Sequence, residues 1–174
     1  MDIKKTANLF ANFTIRRITE IFGITVFCSG ILLLLALLTF SPNDPNFVFP
    51  ENTKIENILG FRGSFISDIF FQSIGLISYL FAFTLIVSGI NIIRTKEFFL
   101  IIENIFFAVI YSMLGTLFLA YFYSEAFTLY INGNGGFIGS YLNQTFLNSI
   151  ILINEVIFYY FLIFLNIFLF LISI

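Results

Sequence analysis

Two carboxylates, Glu103 and Glu155, stand within or beside long apolar runs, and a glycine-rich stretch runs Asn132-Gly133-Asn134-Gly135-Gly136-Phe137-Ile138-Gly139. Each invites a chemical reading. An ionised carboxylate in hydrocarbon is costly, so both glutamates are candidates for a proton or ion path. Each nevertheless falls roughly one to two turns from an expected helix end, where a side chain reaches headgroups or water. They also belong at opposite membrane faces and cannot form one acid/base pair. Interface anchoring or an interhelix hydrogen bond is the reading they favour. The glycine stretch suggests a phosphate cradle, but a Walker loop needs Gly-Lys-Ser/Thr so that an ammonium reaches the phosphates. No Gly-Lys pair occurs in the chain. A dinucleotide fingerprint would need a strand before the glycines and an acid after them. The stretch is expected to be a tight turn that re-enters the membrane interface ahead of the last span. There is no histidine, and Cys28 is the single cysteine, inside an apolar run. No disulfide or thiolate metal site can form within the chain, and no cofactor or metal is expected.

The elements that must position these residues follow from composition. Hydrophobic residues make up 59% of the 174, charged ones only 10%, and 27 are phenylalanine. A soluble domain carries about 25% charged residues, so this chain cannot clothe itself in a water-facing surface. Its solvent is lipid. The expected fold class is an all-α membrane protein with four transmembrane helices. The spans fall at about 21–40, 69–93, 99–123 and 149–172. Twenty residues at ~1.5 Å each cover the ~30 Å bilayer core. Each span must be helical, because lipid offers no partner to open backbone groups.

Lysine and arginine set the orientation. Lys4, Lys5, Arg16 and Arg17 precede the first span, and Arg94 with Lys96 sits in the tight link between the second and third. The first long loop has Lys54 and Arg62 against Asp44, Glu51, Glu56 and Asp68, and the second, about 124–148, has neither basic type. Both termini are therefore expected in the cytoplasm and both long loops in the periplasm. Residues 1–20 read as a polar, modestly basic arm along the inner membrane face. The first span is too long for a signal-peptide core and ends in no small-x-small cleavage site. It reads as an uncleaved anchor.

Small residues recur at helical spacing, namely Gly23 and Gly30, then Ser78, Ala82 and Gly89, then Ala108, Ser112 and Gly115. They let helix backbones approach closely, within one chain or between subunits. The phenylalanine stripes read as lipid-facing or core filler. Asn12-Phe13-Thr14 and Asn143-Gln144-Thr145 fit the glycosylation sequon by chance, the first on the wrong side of the membrane. On the residues alone, a stand-alone small membrane protein, either a transporter or channel subunit or a scaffold, stays open.

Three motifs go further. The first span ends in Ala36-Leu37-Leu38-Thr39-Phe40-Ser41-Pro42-Asn43-Asp44-Pro45. Asn57-Ile58-Leu59-Gly60-Phe61-Arg62-Gly63-Ser64-Phe65-Ile66-Ser67-Asp68 leads into the second. Gly135-Gly136-Phe137-Ile138-Gly139 precedes the fourth. Locally, Pro42 and Pro45 stop the helix, and Asp44 can satisfy backbone N–H groups in a turn. Gly60 and Gly63 permit close backbone approach. Asp68 is expected at the start of the second helix, where a carboxylate favours the dipole. In order and spacing the trio resembles the N-terminal four-helix membrane domain of the FtsK/SpoIIIE DNA translocases, from about Ile21 onward. Ser64 stands where that family usually has alanine.

The resemblance implies a membrane anchor for a cytoplasmic hexameric ATPase, held at the division septum through a long flexible linker. Such a motor pumps double-stranded DNA during cell division and chromosome segregation. The implied partners are the lipid bilayer, further copies of the chain as a hexamer, and other cell-division membrane proteins. DNA would be met only through the motor. Linker, motor and DNA-reading tail are not among these residues, which stop at Ile174 flush with the last span and read as a fragment. No catalytic residue is therefore assigned. The implied partner surface is the loop from Ser41 to Asp68.

Overall fold

The computed structural model describes residues 3–45, 54–124, 132–146 and 154–174. It contains α1 (Ile3–Leu38), α2 (Gly60–Ile74), a single 3-10 turn (Gly75–Ile77), α3 (Ser78–Thr95), α4 (Leu100–Phe122), α5 (Gly136–Phe146) and α6 (Glu155–Ile172). Four stretches are long and apolar enough to cross a membrane: Asn12–Leu38, Gly60–Thr95 counted through its bend, Leu100–Phe122 and Glu155–Ile172. They agree with the expected spans in number and order; residues 149–153 of the last lie outside the described residues.

The first helix differs from expectation at its start. No glycine or proline occurs before Gly23, so nothing breaks the chain, and α1 runs 36 residues without interruption. The expected arm is the first half of that helix, which reaches about 54 Å at ~1.5 Å per residue. Hydroxyls inside it are satisfied locally. Thr14, Thr19, Thr25 and Ser29 each donate to the carbonyl four residues back, at 2.8–3.0 Å, a bond that keeps a polar side chain tolerable on an apolar helix.

The membrane half of α1 pairs antiparallel with α3, and glycines set the distance between them. A Cβ on Gly89 would stand 2.5 Å from the Phe27 nitrogen, and one on Gly30 would stand 2.8 Å from the Ile86 nitrogen. A Cβ on Gly23 would stand 3.1 Å from the Gly89 carbonyl. These small residues serve packing within the chain. At one end of the pair Glu20 bridges Arg17 and Lys96, the latter at 2.8 Å. At the other the Tyr79 hydroxyl donates to the Leu37 carbonyl at 3.3 Å. The first is called the basic end below and the second the loop end. Lys96 takes a left-handed conformation (φ 62) and donates its N–H to Ile92 at 2.9 Å, which stops α3.

The expected second span is two helices. Gly75 (φ 58) ends α2, and beyond it the chain turns sharply. The turn brings Phe71 to 5.6 Å from Tyr79 and Phe70 to 5.6 Å from Phe81. A straight helix would separate those pairs by about 12 and 16 Å along its axis. The chain at both ends of α2 meets the end of α1 or the residues just past it. Asn57, just ahead of α2, bonds the Ala36 carbonyl, and Phe71 packs on Phe40. The helix thus lies across the loop end.

The remaining spans are joined by polar contacts in an apolar setting. Asn104 of α4 donates to Ser88 of α3 at 2.8 Å, and Thr84 and Tyr111 share a hydrogen bond at 2.9 Å. Asn166 of α6 donates to the Tyr111 carbonyl at 2.6 Å, beside Gly115. Phenylalanine fills both expected roles: Phe71 is fully buried, whereas Phe161, Phe164 and Phe168 face outward.

Replacing Gly89 with leucine forces a branched side chain into the Phe27 backbone. The variant is expected to lose about 1–3 kcal/mol, read as a lower unfolding temperature in detergent. An outward position on the same helix, Ile90→Leu, should leave that temperature unchanged.

Candidate functional site

The residues singled out by the three motifs converge at the loop end, in two clasps on either side of α2. The first closes the loop between α1 and α2. Asp44 is 1% exposed, and its carboxylate accepts the Glu56 N–H at 2.7 Å and the Asn57 N–H at 2.9 Å. Asn57 extends the joint in both directions. Its amide donates to the Ala36 carbonyl at 2.9 Å, and its side-chain oxygen accepts the Leu59 N–H at 3.1 Å. Thr39 accepts the Ile58 N–H at 3.3 Å. Ser64 donates to the Pro45 carbonyl at 3.1 Å. Gly63 lies directly under Asn57, where a Cβ would stand 2.1 Å from the amide oxygen. Gly60 matters differently: it has open space but φ +65, a conformation that glycine adopts without strain.

The second clasp ties the bend after α2 to the start of α5. The Leu76 N–H donates to the Asn134 carbonyl at 2.9 Å. A Cβ on Gly75 would meet that carbonyl at 1.8 Å, and one on Gly136 would meet the Ser73 carbonyl at 2.6 Å. Gly135 and Gly139 both press on the Thr116 carbonyl of α4 at 2.4 Å from an added Cβ. Asn134 is buried and donates to Tyr123 at 2.7 Å, while Asn132 donates to Gln72 at 3.1 Å. The glycine stretch is thus a helix–helix joint, and beyond its turn it opens into α5 rather than running on as loop.

The structure brings Asp44, Pro45, Asn57, Gly60 and Gly63 together in one clasp and Gly135, Gly136 and Gly139 in the other. Pro42 is exposed beside the first. Asp68 departs from its expected place: α2 begins at Gly60, so Asp68 lies within the helix and is buried. The chain turns at Gly60 (φ +65) and is helical from there, so α2 has run about two turns before it reaches Asp68. Residues 46–53 of the proposed partner loop lie outside the described residues. Glu103 sits exposed in the first turn of α4, and Glu155 opens α6 at the loop end, accepting the Tyr121 hydroxyl at 3.0 Å. Their separation at opposite ends agrees with the sequence reading. Gly75, to which the second motif continues in the sequence, and Asn132 and Asn134, which belong to the glycine-rich stretch, were not among the expected site residues. The signal available for Gly75 was a glycine amid a charge-free run, which marks a close approach.

The model of one protein family, the 4TM region of DNA translocase FtsK/SpoIIIE, matches residues 15–173. The chain belongs to that family. Over 98 residues it is 26% identical to the DNA translocase FtsK of Rhizobium meliloti (strain 1021), covering 56% of this chain and 11% of the relative. Over 62 residues it is 39% identical to the DNA translocase FtsK of Caulobacter vibrioides, covering 36% of this chain and 8% of the relative. The chain spans about a tenth of the length of the curated relatives it matches. No solved structure matches it. This 4TM region is a multi-pass inner-membrane protein, the membrane-anchoring part of its family.

Two substitutions separate the clasps. Asp44→Ala leaves the Glu56 and Asn57 amides without their acceptor, at about 1–3 kcal/mol for each unmet group. Amide exchange should accelerate there while α5 stays protected. Gly75→Ala combines a backbone clash with a left-handed conformation, so exchange should accelerate instead at Leu76 and along α5.

Proposed function

We propose that this 4TM region anchors a DNA translocase motor to the inner membrane at the division septum, with its loop-end cap as the contact for other cell-division membrane proteins. The observation that carries the reading is the family match across residues 15–173, which includes both clasps. The anchoring is mechanical. Four apolar spans resist extraction, and force applied at the basic end passes into the glycine-spaced α1–α3 pair. The Ile174 carbonyl accepts a hydrogen bond from Asn91, three residues from Arg94. That contact supports a C-terminus on the same face as the basic hairpin, in keeping with the charge-based orientation. A motor joined there meets DNA in the cytoplasm, and this region touches none. Assembly as a hexamer follows the same family reading.

Most of the motif residues are buried, so their part is to hold the cap in shape. Contact with a partner falls to the exposed side chains they present, among them Ile58 and Phe61. A fluorescent fusion is expected to concentrate at the septum. Combined replacement of Asp44, Gly60 and Gly63 should leave it inserted but spread evenly around the membrane. Undiminished septal bands in that variant would refute the cap as the targeting surface, and a reporter after Ile174 active only in the periplasm would refute the anchor.

A further inference from the structure

Because α2 lies across the loop end, it overhangs the flank of α1. Leu59, Gly63, Ile66 and Phe70 recur at helical spacing along its underside. Ser29, Leu32, Leu33 and Ala36 recur likewise on α1, and Leu85 of α3 closes the back. Between them lies a groove of about 470 Å³, within the ~300–1,000 Å³ of small-molecule sites. From Ala36 to Ser29 it descends about 10 Å into the span. Ser29, Leu32 and Ile66 are exposed, so the groove opens sideways to the surroundings of the helix. In a membrane those surroundings are acyl chains.

One charged side chain lines this space, which is otherwise apolar but for Ser29, whose hydroxyl is turned to the Thr25 carbonyl of its own helix. Arg62 stands in the first turn of α2 and is exposed, across the groove from Ala36 near the end of the α1 span, which puts it near headgroup height once the spans cross a bilayer. Among the described residues it has no carboxylate partner, since the ion pairs found there join Glu20 to Arg17 and Lys96. A guanidinium at headgroup height presents a planar fork of N–H donors suited to phosphate oxygens. Below it an apolar slot accepts hydrocarbon, which enters laterally and not through water.

We propose that the space beneath α2 is a phospholipid site, with one acyl chain of an anionic glycerophospholipid along α1 and its phosphodiester on Arg62. The lipid then fills the overhang and braces α2 against α1. The site is independent of what the region anchors, and it stands whether or not the protein gathers at a septum.

The test is native mass spectrometry of the purified chain in a neutral detergent titrated with phosphatidylglycerol. One lipid per chain should be retained. Arg62→Gln should weaken retention about tenfold, the loss of one charge-assisted hydrogen bond. Leu32→Trp, which fills the slot from an exposed position and leaves Arg62 in place, should abolish it. Lys54→Gln, removing an outer-loop cation that does not line the groove, should change nothing. Diacylglycerol with the same chains should bind about tenfold more weakly, by the same bond, and glycerol phosphate should not compete. Circular dichroism checks that each variant keeps its helices. Full retention by Arg62→Gln or by Leu32→Trp would overturn the proposal. So would an equal loss with Lys54→Gln, which means diffuse charge attraction. Displacement by glycerol phosphate would likewise overturn it, by marking a phosphate site without a chain slot.

Discussion

Hydrocarbon offers no hydrogen-bond partner to a peptide group, and the whole architecture answers to that constraint. Each apolar run closes its own backbone bonds as a helix, so the spans themselves need little from one another. Difficulty arises wherever a helix stops. At the end of α1 the freed chain is caught by Asp44 and Asn57, which between them satisfy three amides and a carbonyl. At the bend after α2 the Leu76 amide is taken by Asn134 from a distant part of the chain. The cap is thus the set of groups that a bilayer would otherwise leave unmet.

The same solvent removes the usual reason for helices to associate, because a lipid tail is as apolar as leucine. Contact must come from close approach and from hydrogen bonds. The α1–α3 pair uses the first means, with Gly23, Gly30 and Gly89 bringing backbone to backbone. The α4 and α6 helices use the second, through Asn104, Tyr111 and Asn166. Such bonds contribute only about 0.6–2 kcal/mol each in a membrane. Of its own side chains α6 buries only Leu162 within the helix, and it is held to α4 by Asn166 and by Glu155 on Tyr121. A division of labour follows: a glycine-spaced α1–α3 pair with a clasped cap, and an outer helix whose exposed phenylalanines face the surroundings.

This division bears on the anchoring role. A tether that transmits load gains from a rigid pair of spans, and a surface that recognises other proteins gains from a cap of fixed shape. Under the proposed function, glycines and buried asparagines would supply both. Glu103 and Glu155 lie at opposite ends of the spans, consistent with residues that hold helix ends at the two interfaces.

The all-α class, four spans and the family were legible in the sequence, because aversion to water is a property of local composition and the motifs are contiguous. The continuation of α1 back to Ile3 was legible in principle, in the absence of glycine and proline, but polarity drew the boundary elsewhere. The bend at Gly75, the course of α2 across the loop end and the burial of Asp68 within a helix were not legible. Each depends on partners that periodicity does not link: Asn132 reaches Gln72 across sixty residues, and Asn57 reaches Ala36 across twenty-one. Sequence decided which segments leave water, since transfer to lipid is judged segment by segment. Tertiary structure decided how the segments join, since a carbonyl or an amide finds its partner only once distant backbones lie within hydrogen-bond reach.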